Sequence, residues 1–281
     1  DMQAAAAEVK RLAAQGVHAL TLSDSPTVQG YPSIHDDHWD PLWKACADNS
    51  VVINCHIGTG AKADHASDLS PIDAWITSMP ISIANSAADW IWAPMWKKYP
   101  NLKMALSEGG IGWIPYLLER ADFTHRHHKA WTNADFGGQK PSEVFKKHII
   151  TCFIEDDFGL QNLKHIGEDM VGWECDYPHS DCTWPNSPEV VWESFKHLAD
   201  ETINKVTHLN VMREYNYDPF ALLGRENCTV GALRAQAKAK GVNTAPALGM
   251  GGAAPKREAG KPVTSGDINA MFKQADAETA L

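Results

Sequence analysis

The chain has 281 residues, of which 44% are hydrophobic and 21% are charged, and its formal net charge is −10. This composition is that of a folded globular protein and excludes a mainly disordered, collagen-like or coiled-coil chain. The acidic excess argues against nucleic-acid partners, which need a basic surface. No sequence run approaches the roughly 20 apolar residues of a membrane span, so we expect no membrane association.

The six cysteines stand at positions 46, 55, 152, 175, 182 and 228, and no two have C-x-x-C spacing. This spacing argues against a structural zinc knuckle. In a chain of this length, scattered cysteines indicate buried thiols in a reducing compartment, so we predict a cytoplasmic protein.

Strand-like and helix-like patterns alternate along the chain, which is typical of an α/β protein with a parallel sheet. Two architectures fit: an open doubly wound sheet and a (β/α)8 barrel. The nucleotide-binding motifs G-x-G-x-x-G and G-x-x-x-x-G-K-[ST] that would support an open sheet are missing. The apolar runs that predict strands are Val17–Leu22, Val51–His56, Leu102–Ser107, Ile149–Ile154 and Met170–Cys175.

The helical patterns between these strands have apolar residues at three- and four-residue spacing. They lie at Ala4–Ala14, His38–Asn49, Pro71–Trp96 (with a break near Met79–Pro80), Ile114–Ala130, Leu160–Ile166, Pro188–Leu198 and Asp200–Val206. We predict a barrel unit over residues 1–240. Residues 241–281 form a tail rich in Gly, Ala and Pro with a short terminal helix.

Chemistry-bearing side chains follow three of the predicted strands, at the edge where parallel α/β folds place their sites. His56 ends the second strand, Glu108 follows the third, and Asp176 follows the fifth together with His179 and Asp181. Such a nitrogen and oxygen donor set suits a divalent metal such as zinc or manganese. The alternatives are a core histidine at 56, an ion pair of Glu108 with an arginine, and a turn-capping role for Asp176.

Long motifs in the chain resemble the amidohydrolase-2 family, which includes aminocarboxymuconate-semialdehyde decarboxylase and related aromatic-acid decarboxylases. They are YPSIHDDHWDPLWKAC, HIGTG, LSEGGIGWIPYLLERAD, ECDYPHSDCTWP and NVMREYNYDPFALLGRENCTVGALRAQA, and the resemblance spans about residues 1–240. It implies a (β/α)8 TIM barrel with one divalent metal, often zinc. It also implies that His56 matches the metal ligand after the fifth barrel strand and Asp176 the aspartate after the eighth.

The chain departs from the family pattern in two ways. The family has a His-x-His pair after its first strand, whereas here the only such spacing is His125–His127. We therefore assign the five predicted strands to barrel strands four to eight. The family decarboxylases carry a catalytic histidine after the sixth strand, and this chain has Glu108 there.

These features predict a metal-dependent hydrolase that acts on a small organic substrate through a metal-activated water. The cofactor is a divalent ion, zinc first and manganese second. His56 and Asp176 are the predicted metal ligands, Asp176 and Glu108 the catalytic residues, and His179 and Trp184 the substrate-binding residues. Two alternatives remain: a nonoxidative decarboxylase of an aromatic or unsaturated acid, and an inactive barrel subunit. We also expect a homo-oligomer, or an N-terminal segment or subunit that completes the barrel.

Overall fold

The computed structural model of the chain describes residues 1–60, 66–242 and 260–279. Its centre is a five-stranded, fully parallel sheet in which each strand pairs with the next one in the sequence. This order confirms the α/β prediction. The strands are β1 (Ala19–Ser23), β2 (Val52–His56), β3 (Met104–Ser107), β4 (Ile149–Phe153) and β5 (Val171–Trp173).

Helices of unequal length connect the strands, in the alternation that the sequence pattern predicts. They are α1 (Met2–Ala13), α2 (Asp40–Asp48), α3 (Ile72–Ile91), α4 (Met95–Lys98), α5 (Ile114–Thr132), α6 (Pro141–His148), α7 (Asp157–Gln161), α8 (Leu163–Ile166), α9 (Ser187–Phe195), α10 (Asp200–Asn204), α11 (Asn210–Glu214), α12 (Pro219–Leu223), α13 (Val230–Ala239) and α14 (Ser265–Thr279). Among the residues described, no helix is both long and apolar enough to cross a membrane.

The predicted helix break near Met79–Pro80 is wrong, because α3 continues through Pro80. A proline inside a helix removes one backbone donor. Here the neighbouring turns are supported by serine hydroxyls, since Ser78 donates to the Trp75 carbonyl and Ser82 to the Met79 carbonyl. The break instead comes between α3 and α4, just before Pro94.

The central strands are buried because their sequences are nearly continuous apolar runs. In β3, Met104, Ala105 and Leu106 are each 1% exposed or less. By contrast, β1 has no buried residue and pairs only with β2 among the described residues. Among the described residues β1 is therefore one of the two edges of the sheet, and β5 is the other.

The terminal helix α14 is joined to the body of the chain by backbone hydrogen bonds. The Ser265 amide donates to the Ser70 carbonyl and the Gly266 amide to the Asp68 carbonyl. The division into a barrel unit and a tail stays a prediction, because residues 243–259 of that tail lie outside the described part.

His148 at the end of α6 makes the fold sensitive to acid. Burial lowers the pKa of its imidazole from 6.5 to about 4, while Nδ1 donates to the Leu102 carbonyl at 2.7 Å. A lowered pKa means that this group stabilises the fold fully above pH 6.5 and loses that contribution as the pH falls towards 4. The shift corresponds to about 3 kcal/mol.

We expect His148→Asn, which keeps a donor for Leu102, to reduce the loss of unfolding free energy between pH 6.5 and 4. Urea unfolding across that range measures the difference from the parent chain. The exposed His165 gives the matched control, and His165→Asn should leave the pH slope unchanged. An equal pH dependence of the unfolding free energy in the parent chain and in His148→Asn would contradict this role of His148.

Candidate active site

The parallel register brings the ends of the strands to one edge of the sheet. Ser23, His56 and Ser107 stand side by side as the last residues of β1, β2 and β3. Glu108 follows directly, and its Oε2 lies 2.6 Å from Nε2 of His56. Two of the residues predicted for the site are therefore in direct contact.

The loop after β5 supplies the other side of the site. Nδ1 of His179 lies 2.8 Å from Oδ2 of Asp176 and 3.5 Å from Oε1 of Glu108. Glu108 is therefore the centre of the group, with His56 on one carboxylate oxygen and His179 near the other. Its side chain is only 13% exposed, whereas both histidines are more than half exposed.

Glu108, Asp176 and His179 each offer a donor atom, and the three donor atoms lie within 4.8 Å of one another. Two carboxylates and an imidazole are a donor set that fits manganese or zinc. This group contains Asp176 of the predicted ligand pair, and the other member of the pair, His56, contacts Glu108. The roles of His56 and Asp176 as ligands stay predictions.

Two site residues have a backbone conformation that is unusual for residues other than glycine. Glu108 has φ of +65° and Asp176 has φ of +57°. Such conformations cost about 1–3 kcal/mol each and are found where the surrounding structure enforces them. At Glu108 this conformation is accompanied by a 2.9 Å hydrogen bond from its amide to Oε1 of Glu174.

The next residue, Gly109, has to be a glycine for a steric reason. A Cβ atom at this position would lie 2.4 Å from Cγ2 of the buried Ile83. The Glu-Gly sequence after β3 therefore lets the chain turn against α3 while Glu108 faces the histidines.

The two glutamates of the site hold their protons more tightly than ordinary glutamates. Burial, followed by a hydrogen bond with Asp176, raises the pKa of Glu108, and the two histidines oppose this rise. Burial raises the pKa of Glu174 to about 7, against the effect of the hydrogen bond from the Glu108 amide. Carboxyl groups with perturbed pKa values are typical of functional sites.

A cavity of about 700 Å³ opens beside Glu108. Trp184, Asp181 and Glu155 lie in its wall, and the Trp184 ring also contacts Tyr177 at 5.0 Å between centroids. Among the described lining residues there is no Lys or Arg. The substrate-binding roles of Trp184 and His179 stay predictions.

The alternative role of Glu108 as an ion-pair partner of an arginine is not seen. Arg120, the candidate on the following helix, is exposed and lies over the Phe123 ring at 4.8 Å. The ion-pair partners of Glu108 among the described residues are the two site histidines.

Sequence reasoning missed two acids that hold the site together, the buried Asp24 and the half-buried Glu174. Asp24 follows β1 and is 2% exposed. Its carboxylate accepts hydrogen bonds from Ser86 at 2.6 Å and Thr59 at 2.9 Å, so it holds the turn after His56 against α3. The available signal was its position, since Asp24 directly follows a strand as the other site residues do.

A family model described as amidohydrolase matches residues 1–216. The chain therefore belongs to the amidohydrolase family, which confirms the resemblance drawn from its motifs. Membership also confirms the fold class, because the five-stranded sheet and its helices are part of a TIM barrel. No curated protein matches the chain significantly.

Solved structures support the same fold. The 5-carboxyvanillate decarboxylase LigW from Sphingomonas paucimobilis is 22% identical over 78% of this chain, with a TM-score of 0.60. An amidohydrolase from Mycobacterium avium subsp. paratuberculosis K-10 is 19% identical over 75% of this chain, also with a TM-score of 0.60. The third structure is a 5-carboxyvanillate decarboxylase from Novosphingobium aromaticivorans DSM 12444, complexed with manganese and 4-hydroxy-3-methoxy-5-nitrobenzoic acid. It is 18% identical over 77% of this chain, with a TM-score of 0.59.

The chain spans less than two thirds of these three structures, namely 64%, 54% and 61% of their respective lengths. At these identities the likeness establishes the fold.

Proposed function

We propose that this chain carries the catalytic part of a metal-dependent, nonoxidative decarboxylase of an aromatic or unsaturated acid. The observation that carries the proposal is the Glu108–Asp176–His179 cluster, in which burial and then the hydrogen bond with Asp176 raise the pKa of Glu108. Two of the solved structures that share the fold are 5-carboxyvanillate decarboxylases, which supports this choice of reaction.

Loss of CO2 leaves an electron pair on the substrate carbon, and that carbon must then be protonated. A carboxylic acid with a raised pKa holds its proton to a higher pH than an ordinary carboxylic acid and is therefore a better donor to that carbon. Burial and the hydrogen bond with Asp176 raise the pKa of Glu108 in this way, and Glu108 is itself a member of the metal-capable group. His56, 2.6 Å from Glu108, can return a proton to it after each turnover.

The donor atoms of Asp176 and His179, with Glu108 or His56, are suited to hold manganese or zinc. A divalent ion there would offset negative charge on the substrate and polarise its oxygen atoms. The positive charge of a metal ion is needed here, because the described lining of the cavity contains Glu108, Glu155 and Asp181 and no cationic side chain. Binding of an acid should therefore depend on the metal.

Hydrolysis is the second candidate reaction, and the identity of residue 108 favours it. The resemblance implies a histidine at this position in the family decarboxylases, whereas a glutamate is a common base for water activation. In this reaction Glu108 takes a proton from water and Asp176 orients it. An inactive barrel subunit is the third candidate, and absence of metal binding would support it.

A single assay series separates these candidates. The chain is supplied with Mn²⁺ or Zn²⁺ and with a panel of hydroxybenzoic and unsaturated acids, and CO2 release is measured beside ester and amide cleavage. We expect CO2 release that stops when a chelator is added. Cleavage without CO2 release would favour hydrolysis, and metal binding without either activity would contradict both enzymatic candidates on this panel.

We further propose that an additional segment or a second subunit, of the same chain or another, pairs with the open edge of β1. An apolar groove of about 490 Å³ runs along that strand, between Leu20 and Leu22 on one side and Val9 and Leu12 of α1 on the other. Unpaired strand edges next to apolar surface promote association. The cytoplasmic location likewise stays a proposal.

We expect the isolated 281-residue chain to aggregate or to melt without a sharp transition. Thr21→Lys places a charge on the exposed face of β1 and should increase the monomeric fraction in size-exclusion chromatography with light scattering. Thr132→Lys on the exposed end of α5 is the matched control and should change little. A monodisperse parent monomer with a sharp cooperative melt would contradict the proposal.

A further inference from the structure

Two cysteines meet in the loop that carries Asp176 and His179. Sγ of Cys175 lies 3.6 Å from Sγ of Cys182, and the two residues are seven positions apart. Backbone hydrogen bonds fold the loop back on itself, since the His179 amide donates to the Asp176 carbonyl and the Cys182 amide to the His179 carbonyl. The close approach of the two sulfur atoms therefore follows from the loop geometry.

The sulfur pair is distinct from the metal-capable group. Among the described residues that group consists of Glu108, Asp176 and His179, and it includes neither cysteine. The thiol of Cys175 also lies 3.4 Å from the Ser187 hydroxyl, and the thiol of Cys182 accepts a hydrogen bond from the Trp184 amide. These contacts hold both sulfur atoms at the same side of the loop.

Both thiols are within reach of small molecules. Cys182 lies in the wall of the cavity beside Glu108, and Cys175 lies in the wall of a neighbouring cavity of about 550 Å³. Both residues are half-buried, whereas Cys46 and Cys55 are fully buried. The prediction of buried thiols is therefore wrong for Cys175 and Cys182, as it is for the half-buried Cys152 and Cys228.

We propose that Cys175 and Cys182 form a reversible disulfide that locks the loop carrying Asp176 and His179. A disulfide is about 2.05 Å long, so the sulfur atoms have to approach by about 1.5 Å, which side-chain rotation and a small loop movement can provide. In a reducing compartment such pairs form transiently and act in redox sensing. The structure thus assigns a modification site to the loop.

The oxidant is a small-molecule disulfide such as glutathione disulfide. A thiolate of the pair attacks one glutathione sulfur, which breaks the glutathione S–S bond, releases one glutathione thiolate and leaves a mixed disulfide. The second cysteine then attacks the protein sulfur of that mixed disulfide and releases the other glutathione. Two protein thiols are oxidised by two electrons, one glutathione disulfide is reduced to two glutathiones, and the two thiol protons pass to them.

The test uses the full chain in buffers with an increasing ratio of glutathione disulfide to glutathione. Free thiols are then alkylated under denaturing conditions and the peptide that contains both cysteines is analysed by mass spectrometry. We expect it to lose two hydrogen masses and to remain unalkylated, while Cys46 and Cys55 are alkylated. Full alkylation of Cys175 and Cys182 at the most oxidising ratio would overturn the proposal.

Two variants identify the partners. Cys182→Ser should accumulate a glutathione adduct on Cys175, because the second thiol is missing. Cys228→Ser removes another half-buried cysteine and should form the disulfide as the parent does. A disulfide between Cys175 and any other cysteine in the parent chain would overturn the assignment.

Hydrogen–deuterium exchange tests the effect on the loop. We expect residues 176–181 of the oxidised parent to exchange at least about threefold more slowly than those of the reduced parent, because a closed ring opens less often. The Cys182→Ser variant should show no such difference between the two buffers. Equal exchange in the oxidised and reduced parent would contradict the locking of the loop.

Discussion

Asp176→Ala is expected to weaken binding of Mn²⁺ or Zn²⁺ to the chain by at least about 100-fold. Removing only an outer partner of a metal ligand often costs 10–100-fold in affinity, and here a carboxylate of the donor group itself is lost. The donor atom of Asp176 lies within 4.8 Å of those of Glu108 and His179. Without Asp176 the group retains one carboxylate and one imidazole, and neither of them supplies the lost negative charge. Isothermal titration calorimetry with each metal measures the change.

The matched control for this variant is Asp157→Asn. Asp157 is exposed at the first position of α7, and the donor group among the described residues does not include it. Its removal lowers the negative charge of the chain by the same amount, so it accounts for any long-range electrostatic effect. Unchanged affinity in Asp176→Ala, or an equal loss in both variants, would contradict a metal site at this position.

The meeting of His56, Glu108 and Asp176 was predictable because parallel strands end at one edge of a sheet. Each residue follows an apolar run in the sequence, and the register alone brings His56 next to Ser107 and hence to Glu108. The local conformations were not predictable in the same way. The positive φ at Glu108 is accompanied by the hydrogen bond of its amide with Glu174 and by the packing of Gly109 against Ile83 of α3, and these contacts join residues far apart in the sequence.

Two further features show where the sequence pattern stops being informative. Pro80 would break an isolated helix, yet α3 continues because tertiary packing buries Ile83, Ala87 and Trp90 on its far half. The approach of Cys175 to Cys182 depends on the path of a loop, which spacing alone does not specify. In both cases the three-dimensional structure depends on tertiary contacts or on a loop conformation, and the local sequence pattern predicts neither.

Glu108→Gln is expected to reduce turnover by about 100-fold or more, while Asp176 and His179, with His56 beside them, still hold the metal. The substitution preserves size and removes the titratable carboxyl group, so a donor to the substrate carbon, or a base toward water, is lost. A purely structural role predicts the opposite result, with a lower free energy of unfolding and nearly unchanged turnover per folded molecule. Measuring turnover, urea unfolding and metal affinity on the same preparation separates these roles.

Glu108→His then distinguishes the two reactions. The resemblance implies a histidine at this position in the family decarboxylases, so the variant should retain or gain CO2 release if the chain is a decarboxylase. If the parent chain is a hydrolase, Glu108→His loses the base beside His56 and should lose ester or amide cleavage without gaining CO2 release. Among the described residues no other carboxyl group contacts both site histidines, so none can take over the position of Glu108. Full activity of Glu108→Gln in both assays would therefore contradict every catalytic role for Glu108.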